Sequence, residues 1–216
     1  MIDDLTVIYY TANREKPEFE EKTKKLILDT IKDTPLISVS HKPIDFGKNI
    51  WVGDVGCSGH NVFRQFQIGA LEAKTKYVCP CESDFLYPPE YFTFKRPKDD
   101  IFYLIMPLYV LFAQRGMKKY FAKKERGSEA CMVVNRDHLL KRMDAMFKGH
   151  DMWGPVEEII WLLRGCAREL VFIDKPIITF KTDNNMHRRT PHDVKDRLLD
   201  LPYWGNAHEL IKEYLE

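Results

Sequence analysis

Two acidic residues, Glu82 and Asp84, form the most informative pattern in this chain of 216 residues. They follow the apolar run 77–81, which predicts a buried strand, and a carboxylate beside a core needs a compensating partner. A divalent cation completed by substrate phosphates is one such partner, because Mg²⁺ and Mn²⁺ prefer hard oxygen ligands. The spacing alone equally allows a solvated acid pair in a loop.

The elements that precede the acid pair help to decide between these interpretations. Strands are predicted at residues 5–10, 35–40 and 77–81, helices at 18–32 and 61–73, and a structured loop with four glycines at 43–59. This alternation predicts an α/β fold with a doubly wound, mostly parallel sheet and a ligand site at the carboxyl ends of its strands. The polar loop 11–14 and the acid pair would then share one rim, which favours a ligand site.

The pattern changes after Tyr91. Residues 85–89 are expected to form a turn, residues 101–112 one or two strands broken at Pro107, and residues 130–134 a further strand. Helices are predicted at 138–147, 155–163, 193–199 and 207–215, and a strand pair at 171–181, broken at 174–176.

A second pair of acids, Glu157 and Glu158, opens the helix predicted to begin at Pro155. A carboxylate held at a rigid helix start can remove a proton from an alcohol as a general base. The helix dipole alone also favours acids in a first turn, so a purely structural role stays open.

The basic segment that contains His187 and Arg188 supplies further candidates. Near an acid-bound metal, His187 would complete the metal shell, and Arg188 or Arg189 would neutralise phosphate charge. Taken alone, His187 has the character of a surface histidine.

The composition is that of an ordinary globular protein, with 44% hydrophobic residues, 30% charged residues and a net charge of +1. The odd count of five cysteines indicates reduced thiols. The acidic amino terminus lacks the features of a signal peptide, and no apolar run is long enough to cross a bilayer. We therefore expect a cytoplasmic protein without a transmembrane segment.

Several common catalytic motifs are absent from the sequence. It contains no G-x-x-x-x-G-K-[ST] phosphate loop, no G-x-G-x-x-G fingerprint and no G-x-S-x-G nucleophile elbow. P-loop, Rossmann-cofactor and acyl-hydrolase functions therefore have no support.

Over nearly its whole length the chain resembles GT-A-fold glycosyltransferases of the broad family 2-like group. Residues 7–14 resemble the first strand and nucleotide-contacting loop of a subgroup with a Y-T-x-N-R signature, and residues 38–49 resemble its second strand and following loop. Residues 64–73 resemble the helix before the metal motif, and residues 82–84 take the place of the D-x-D-like motif. Residues 157–162 are similar to the E-D helix of inverting members, and residues 181–187 to a segment that commonly reads R-H-G-x-N-x-T.

This resemblance implies a single GT-A-like domain over residues 1–216, with a nucleotide-sugar-binding half at 1–92 and an acceptor-side half at 93–216. It implies Mn²⁺ or Mg²⁺ on the diphosphate of a nucleotide-sugar donor, most simply a UDP-sugar. Asp84 would be the direct metal ligand, with Glu82 assisting or binding ribose and His187 as a further ligand. Glu158 would be the base of an inverting transfer, with Glu157 in reserve. The donor contacts would come from Tyr10, Thr11, Asn13, Arg14, Arg64, Glu82 and Arg188.

The sequence does not identify the acceptor molecule, and it leaves other functions open. One alternative is a phage-type DNA glycosyltransferase that acts on hydroxymethylated bases. Its support is two basic segments, at residues 118–126 and 188–197, which could contact DNA phosphates. A noncatalytic nucleotide-binding module is a second alternative, because a fold alone does not establish activity. A nucleotidyltransferase, which also uses paired acids and a metal, is a third.

Overall fold

The chain forms a mixed sheet with helices on both faces, in a computed structural model that describes residues 4–93, 95, 98–154, 162–185 and 196–216. The strands are β1 (Leu5–Thr11), β2 (Leu36–Ser40), β3 (Lys48–Trp51), β4 (Tyr77–Glu82), β5 (Phe85–Leu86), β6 (Phe102–Phe112), β7 (Phe121–Lys124), β8 (Met132–Asn135), β9 (Arg168–Lys181), β10 (Arg197–Leu198), β11 (Asp200–Leu201) and β12 (Gly205–Asn206). The helices are α1 (Pro17–Ile31), α2 (Gly59–Glu72), α3 (Glu90–Thr93), α4 (Arg136–Met146) and α5 (Ala207–Leu215).

The main sheet has the strand order β10-β7-β6-β8-β4-β1-β2-β3, and β9 pairs with both β6 and β5. Strands β3, β2, β1 and β4 are mutually parallel, and β9 runs parallel to β6. Most paired positions are therefore in parallel register, which confirms the predicted α/β fold with a mostly parallel sheet.

Three strands bring polar residues to one rim of this sheet. Strand β8 is antiparallel to both β4 and β6, so β9, which is parallel to β6, points in the same direction as β1 and β4. The carboxyl ends of these strands, at Thr11, Glu82 and Lys181, consequently lie along the same edge, where open α/β sheets bind their ligands.

The alternating side chains of β1 bury both faces of the sheet. Val7 and Tyr9 join a core cluster with Ile27 of α1, whereas Ile8 joins a second cluster with Phe66 of α2. A strand covered on both faces consists almost entirely of apolar residues, as the run of residues 5–10 does.

Helix α2 lies unusually close to the sheet and fixes the floor of the site. A Cβ atom on Gly69 would lie 2.4 Å from Cγ2 of Ile8, so only glycine permits this approach. One turn earlier, Nε2 of Gln65 donates to the carbonyl oxygens of Thr11 (3.2 Å) and Val39 (3.1 Å). These bonds satisfy acceptors at the ends of β1 and β2 and tie the helix to the rim.

Several predicted elements differ from the observed ones. The predicted loop 43–59 contains strand β3, whose pattern is concealed because Lys48 and Trp51 are exposed. The predicted turn at 85–89 begins with strand β5, which pairs with β9. Where a helix was expected at 193–199, Arg197 and Leu198 form strand β10 beside β7, and residues 193–195 lie outside the described part of the chain.

The two predicted strand breaks proved to be irregularities within long strands. Strands β6 and β9 are each continuous, but their pairing shifts between Met106 and Leu108, opposite residues 173–176 of β9. Pro107 and Pro176 both lie in this irregular stretch, where a residue without an N–H group costs no ladder hydrogen bond. Among the described residues, no helix has both the length and the apolar character needed to cross a membrane.

Candidate active site

Glu82 lies at the end of β4, directly beside Tyr10 of β1. The Tyr10 hydroxyl donates to Oε1 of Glu82 at 2.8 Å, and the Glu82 N–H donates to the Tyr87 hydroxyl at 3.1 Å. Hydrogen bonds therefore hold both the side chain and the backbone of Glu82 in place at the rim.

Asp84 is the more buried member of the pair, with 8% of its surface exposed. Nδ2 of Asn185 donates to its Oδ2 at 2.8 Å, and its carbonyl oxygen accepts from the Phe180 N–H at 2.8 Å. The acid motif is thus anchored to β9 and to the segment that follows β9.

A first cavity of about 150 Å³ opens beside these acids. It is lined by residues 10–12, 14–15, 41, 56–58, 62, 65, 82–84, 181 and 184–185. The ends of β1, β4 and β9 and the start of α2 therefore all contribute to one concave site, as is typical of ligand pockets in α/β proteins.

A second cavity of about 230 Å³ also borders the acid pair. Tyr10, Val62, Glu82, Asp84 and Lys181 line both cavities. The second cavity is completed by residues 59, 63, 85, 110, 124, 128–130 and 179. The two acidic residues consequently line two spaces that can each hold a small molecule.

A third cavity of about 480 Å³ adjoins the first at the loop after β1. Asn13 shapes its wall with φ = 52°, and its Oδ1 accepts from the Lys42 N–H at 2.8 Å. In the same lining, Nδ1 of His41 lies 3.5 Å from Oδ1 of Asp54, and burial lowers the pKa of His41. This arrangement offers polar groups beside the first cavity, where an extended ligand would continue.

The carboxyl groups at the rim are difficult to ionise. Burial, reinforced by the charge of Asp84, raises the pKa of Glu82 to about 7. Burial also raises the pKa of Asp84, against the opposing effect of Lys181. Two neighbouring desolvated acids of this kind are a frequent feature of functional sites.

This donor set fits a divalent cation that shares its ligands with a substrate. A cation would offset the cost of ionising both buried carboxylates, and Mg²⁺ is commonly held by one or two carboxylates plus substrate phosphates. Within the described ranges, no group of three or more His, Cys, Asp or Glu could hold a metal ion. Additional ligands would therefore have to come from a substrate or from residues outside those ranges.

The structure brings together most of the predicted donor-binding residues and the predicted metal ligand Asp84. Tyr10, Thr11, Arg14, Glu82 and Asp84 line the first cavity, and Asn13 lines the third. The predicted residues Glu157, Glu158, His187 and Arg188 lie outside the described part of the chain.

Arg64 is placed away from these cavities. Its guanidinium carbon stacks 3.6 Å from the ring centre of Phe147, and its Nη2 donates to the carbonyl oxygen of Asp151 at 3.1 Å. These contacts tie α2 to the region after α4, so Arg64 has a packing role in this conformation.

The sequence interpretation did not single out three residues that line the first cavity. These are Glu15, Lys181 and Asn185. Lys181 ends a strand that was predicted, so the order of the elements could have placed it on the rim. Asn185 falls on the N of the R-H-G-x-N-x-T segment that residues 181–187 resemble. Glu15 shows no comparable signal, because its contact with Asn185 joins positions separated by 170 residues.

We predict that the metal-free protein loses stability as the pH rises from about 5 to 7. The folded-state pKa of Glu82 is raised from 4.5 to about 7, so the unfolded chain ionises first and is favoured across this window. Urea unfolding in EDTA should show that Glu82→Gln gains about 2 kcal/mol relative to wild type between pH 5 and pH 8. A difference between the two proteins that does not change with pH would contradict this prediction.

Comparison with known proteins finds matches among solved structures but none by sequence. Neither a protein-family model nor a curated protein sequence matches the chain. The crystal structure of S. aureus TarS residues 1–349 in complex with UDP-GlcNAc matches with a TM-score of 0.52 and 11% sequence identity, over 88% of this chain and 63% of that one.

Two further solved structures match less closely. A glycosyltransferase involved in the glycosylation of the major capsid of PBCV-1 gives a TM-score of 0.46 at 11% identity, over 81% of this chain and 91% of that one. A protein from Desulfovibrio desulfuricans G20, described as a nucleotide-diphospho-sugar transferase, gives 0.42 at 10% identity, over 84% and 83%. At 11% identity the TarS match shows the fold alone: a mixed α/β architecture with a mostly parallel central sheet, which matches the GT-A fold.

Proposed function

We propose that this protein is a metal-dependent, inverting glycosyltransferase that moves a sugar from a nucleoside-diphosphate sugar to an acceptor hydroxyl. The observation that carries the proposal is the position of Glu82 and Asp84. Glu82 ends the central strand β4, Asp84 follows two residues later, and both line two adjoining cavities on the rim of a GT-A fold. A transferase needs this arrangement, with one space for the donor and one for the acceptor.

The first cavity is suited to the diphosphate of the donor. Arg14 and Lys181 both line it, and cationic side chains stabilise the negative charge that grows on a departing diphosphate. The third cavity, beside Asn13 and His41, continues this space towards the position we assign to the nucleoside. TarS binds UDP-GlcNAc, which makes a UDP-sugar the first donor to examine.

Asp84, assisted by Glu82, would hold the Mn²⁺ or Mg²⁺ ion. When bound, such an ion supplies additional charge stabilisation for the leaving nucleoside diphosphate. The hydrogen bonds from Tyr10 to Glu82 and from Asn185 to Asp84 fix the two carboxylates in advance, so little reorganisation is needed.

The acceptor would occupy the second cavity. We assign the removal of its hydroxyl proton to Glu158, with Glu157 as the other candidate. As the acceptor oxygen attacks the anomeric carbon, the bond between that carbon and the diphosphate oxygen breaks on the opposite face. A single displacement of this kind inverts the anomeric configuration and requires one base.

Thermal shift with UDP, GDP, dTDP and CDP, each with Mn²⁺ or with EDTA, tests the proposal. Stabilisation by about 2.7 kcal/mol is expected from one nucleotide at a hundredfold excess over its dissociation constant, and only with metal. The corresponding nucleotide sugar should then be hydrolysed slowly in the absence of acceptor. A protein that no nucleotide stabilises is not a glycosyltransferase of this type.

One observation favours DNA as a candidate acceptor. Strand β10 pairs with β7, which places Arg197 opposite Ala122, and the Arg197 guanidinium lies 5.3 Å from the ring centre of Tyr120. Arg197 thus joins the basic residues of the 118–126 segment at one edge of the sheet. Such an edge can contact the phosphates of a nucleic acid.

Fluorescence anisotropy with a labelled DNA duplex at 50 to 200 mM salt tests this acceptor. We expect affinity to fall steeply with salt, and Lys123→Ala and Arg197→Ala each to lower the slope of log K against log salt by about one. Lys25→Ala, on the exposed surface of α1, is the control. Absence of binding at 50 mM salt would exclude DNA and leave the transferase proposal intact.

A further inference from the structure

A hydrogen-bonded network links the loop after β1 to the segment after β9. Thr182 Oγ1 donates to Glu15 at 2.8 Å (Oε1) and 2.9 Å (Oε2), and Nδ2 of Asn185 lies 3.4 Å from the same Oε1. The Thr182 N–H donates to Oδ1 of Asn185 at 2.7 Å. Glu15 therefore holds Asn185 both directly and through Thr182.

Asn185 connects this network to the acid pair through a hydrogen bond to Asp84. The same Nδ2 atom that approaches Glu15 donates to Oδ2 of Asp84 at 2.8 Å. With Oδ1 engaged by Thr182, the amide has one orientation that satisfies all its partners. The rotation of the Asp84 carboxylate is therefore set by an amide that Glu15 keeps in place.

The placement of Glu15 has a cost in the folded protein, because its carboxyl group is partly buried beside other acids. Burial, together with the nearby charges of Asp84 and Glu20, raises its pKa to about 7, against the opposing effects of the Thr182 hydrogen bond and of Arg14. A glutamine could still accept from Thr182 through its single amide oxygen without this cost. The hydrogen bonds from Thr182 and Asn185 hold Glu15 at the edge of the cavity that it lines.

We propose that Glu15 is a positioning residue which, through Asn185, orients Asp84 to bind a nucleoside diphosphate together with its divalent cation. This inference rests on the proposed function, because it assigns Asp84 to the cation-binding site. It adds a residue that lies in neither acid motif, and it connects the donor loop to the chain segment after β9.

The test measures binding of Mn²⁺ with UDP, or with whichever nucleoside diphosphate stabilises the wild-type protein, by isothermal titration calorimetry. Glu15→Ala should weaken this binding about tenfold, which corresponds to about 1.4 kcal/mol. Glu15→Gln should bind within about threefold of wild type, because its amide oxygen still accepts from Thr182. Glu18→Ala, a change to an exposed acid on α1, is the matched control and should have no effect.

A double-mutant cycle separates action through Asn185 from a direct effect. If Glu15 acts through Asn185, the Glu15→Ala/Asn185→Ala protein should bind no more weakly than Asn185→Ala alone. In hydrolysis of the nucleotide sugar, Glu15→Ala should also raise the Mn²⁺ concentration that gives half-maximal rate. A loss of folded protein would lower the rate and leave that concentration unchanged.

Three results would overturn the inference: wild-type affinity in Glu15→Ala, equal losses in Glu15→Ala and Glu15→Gln, or additive losses in the cycle. A wild-type protein that binds no nucleoside diphosphate with Mn²⁺ would overturn the proposed function as well. The two failures are distinguishable because the second is seen without any substitution.

Discussion

Asp84→Asn is expected to abolish sugar transfer while making the metal-free protein more stable. Asparagine keeps the size of the side chain and an oxygen that accepts from Asn185, so the local hydrogen bonding survives. It removes a negative charge whose burial raises the pKa of Asp84 and disfavours the ionised form. We expect transfer to fall roughly a hundredfold or more, since charge stabilisation in a preorganised site supplies about that much.

The measurement combines activity with unfolding. Transfer or donor hydrolysis should be lost in Asp84→Asn and Asp84→Ala, while urea unfolding at pH 8 in EDTA should show Asp84→Asn to be more stable than wild type. Asp29→Asn, on the exposed surface of α1, controls for the general effect of an Asp-to-Asn change. Full activity in Asp84→Asn would remove the acid pair from the mechanism. Gains of stability that accompany losses of activity are common at functional sites.

Glu158→Gln is expected to eliminate turnover without weakening the binding of the donor. Glutamine has nearly the same shape as glutamate but cannot accept the acceptor proton, and general-base catalysis is worth about 10² to 10⁴ in rate. The expected result is a loss in kcat of that size, with unchanged binding of Mn²⁺ and the nucleoside diphosphate. Such a separation is characteristic of an interaction made only in the transition state.

Glu157→Gln is the matched control for this substitution, because it makes the same chemical change one position earlier. We expect it to retain most of the activity. If Glu157→Gln loses turnover and Glu158→Gln does not, the base is Glu157. Retention of turnover in both variants would place the base elsewhere and contradict the assignment drawn from the resemblance.

The sequence predicted the parts of the fold that depend on local pattern. The apolar run at 77–81 and the acids after it correspond to β4 and its carboxyl end, and the amphipathic run at 61–73 corresponds to α2. Parallel topology then brought the loop after β1 beside the acids, as the order of elements implied. Periodicity and connection rules were sufficient for this half of the chain.

Other features depended on contacts between distant parts of the chain. Strand β3 carries one aliphatic residue, Ile50, so nothing in its own pattern distinguishes it from a loop. Arg64 could be read as a donor contact from its motif, but stacking on Phe147 directs it away from the cavities. The bonds from Thr182 and Asn185 to Glu15 depend on how β9 returns to the rim, which no local signal encodes.

The long strand β9 has a consequence for how the protein could be divided. The first cavity takes residues from 10–15 and also from 181–185, which β9 delivers across the sheet. A fragment that stops at residue 92 would carry both acids yet lack Lys181 and Asn185. We therefore expect two separately expressed pieces, cut at that point, to recognise a nucleotide only after they reassemble.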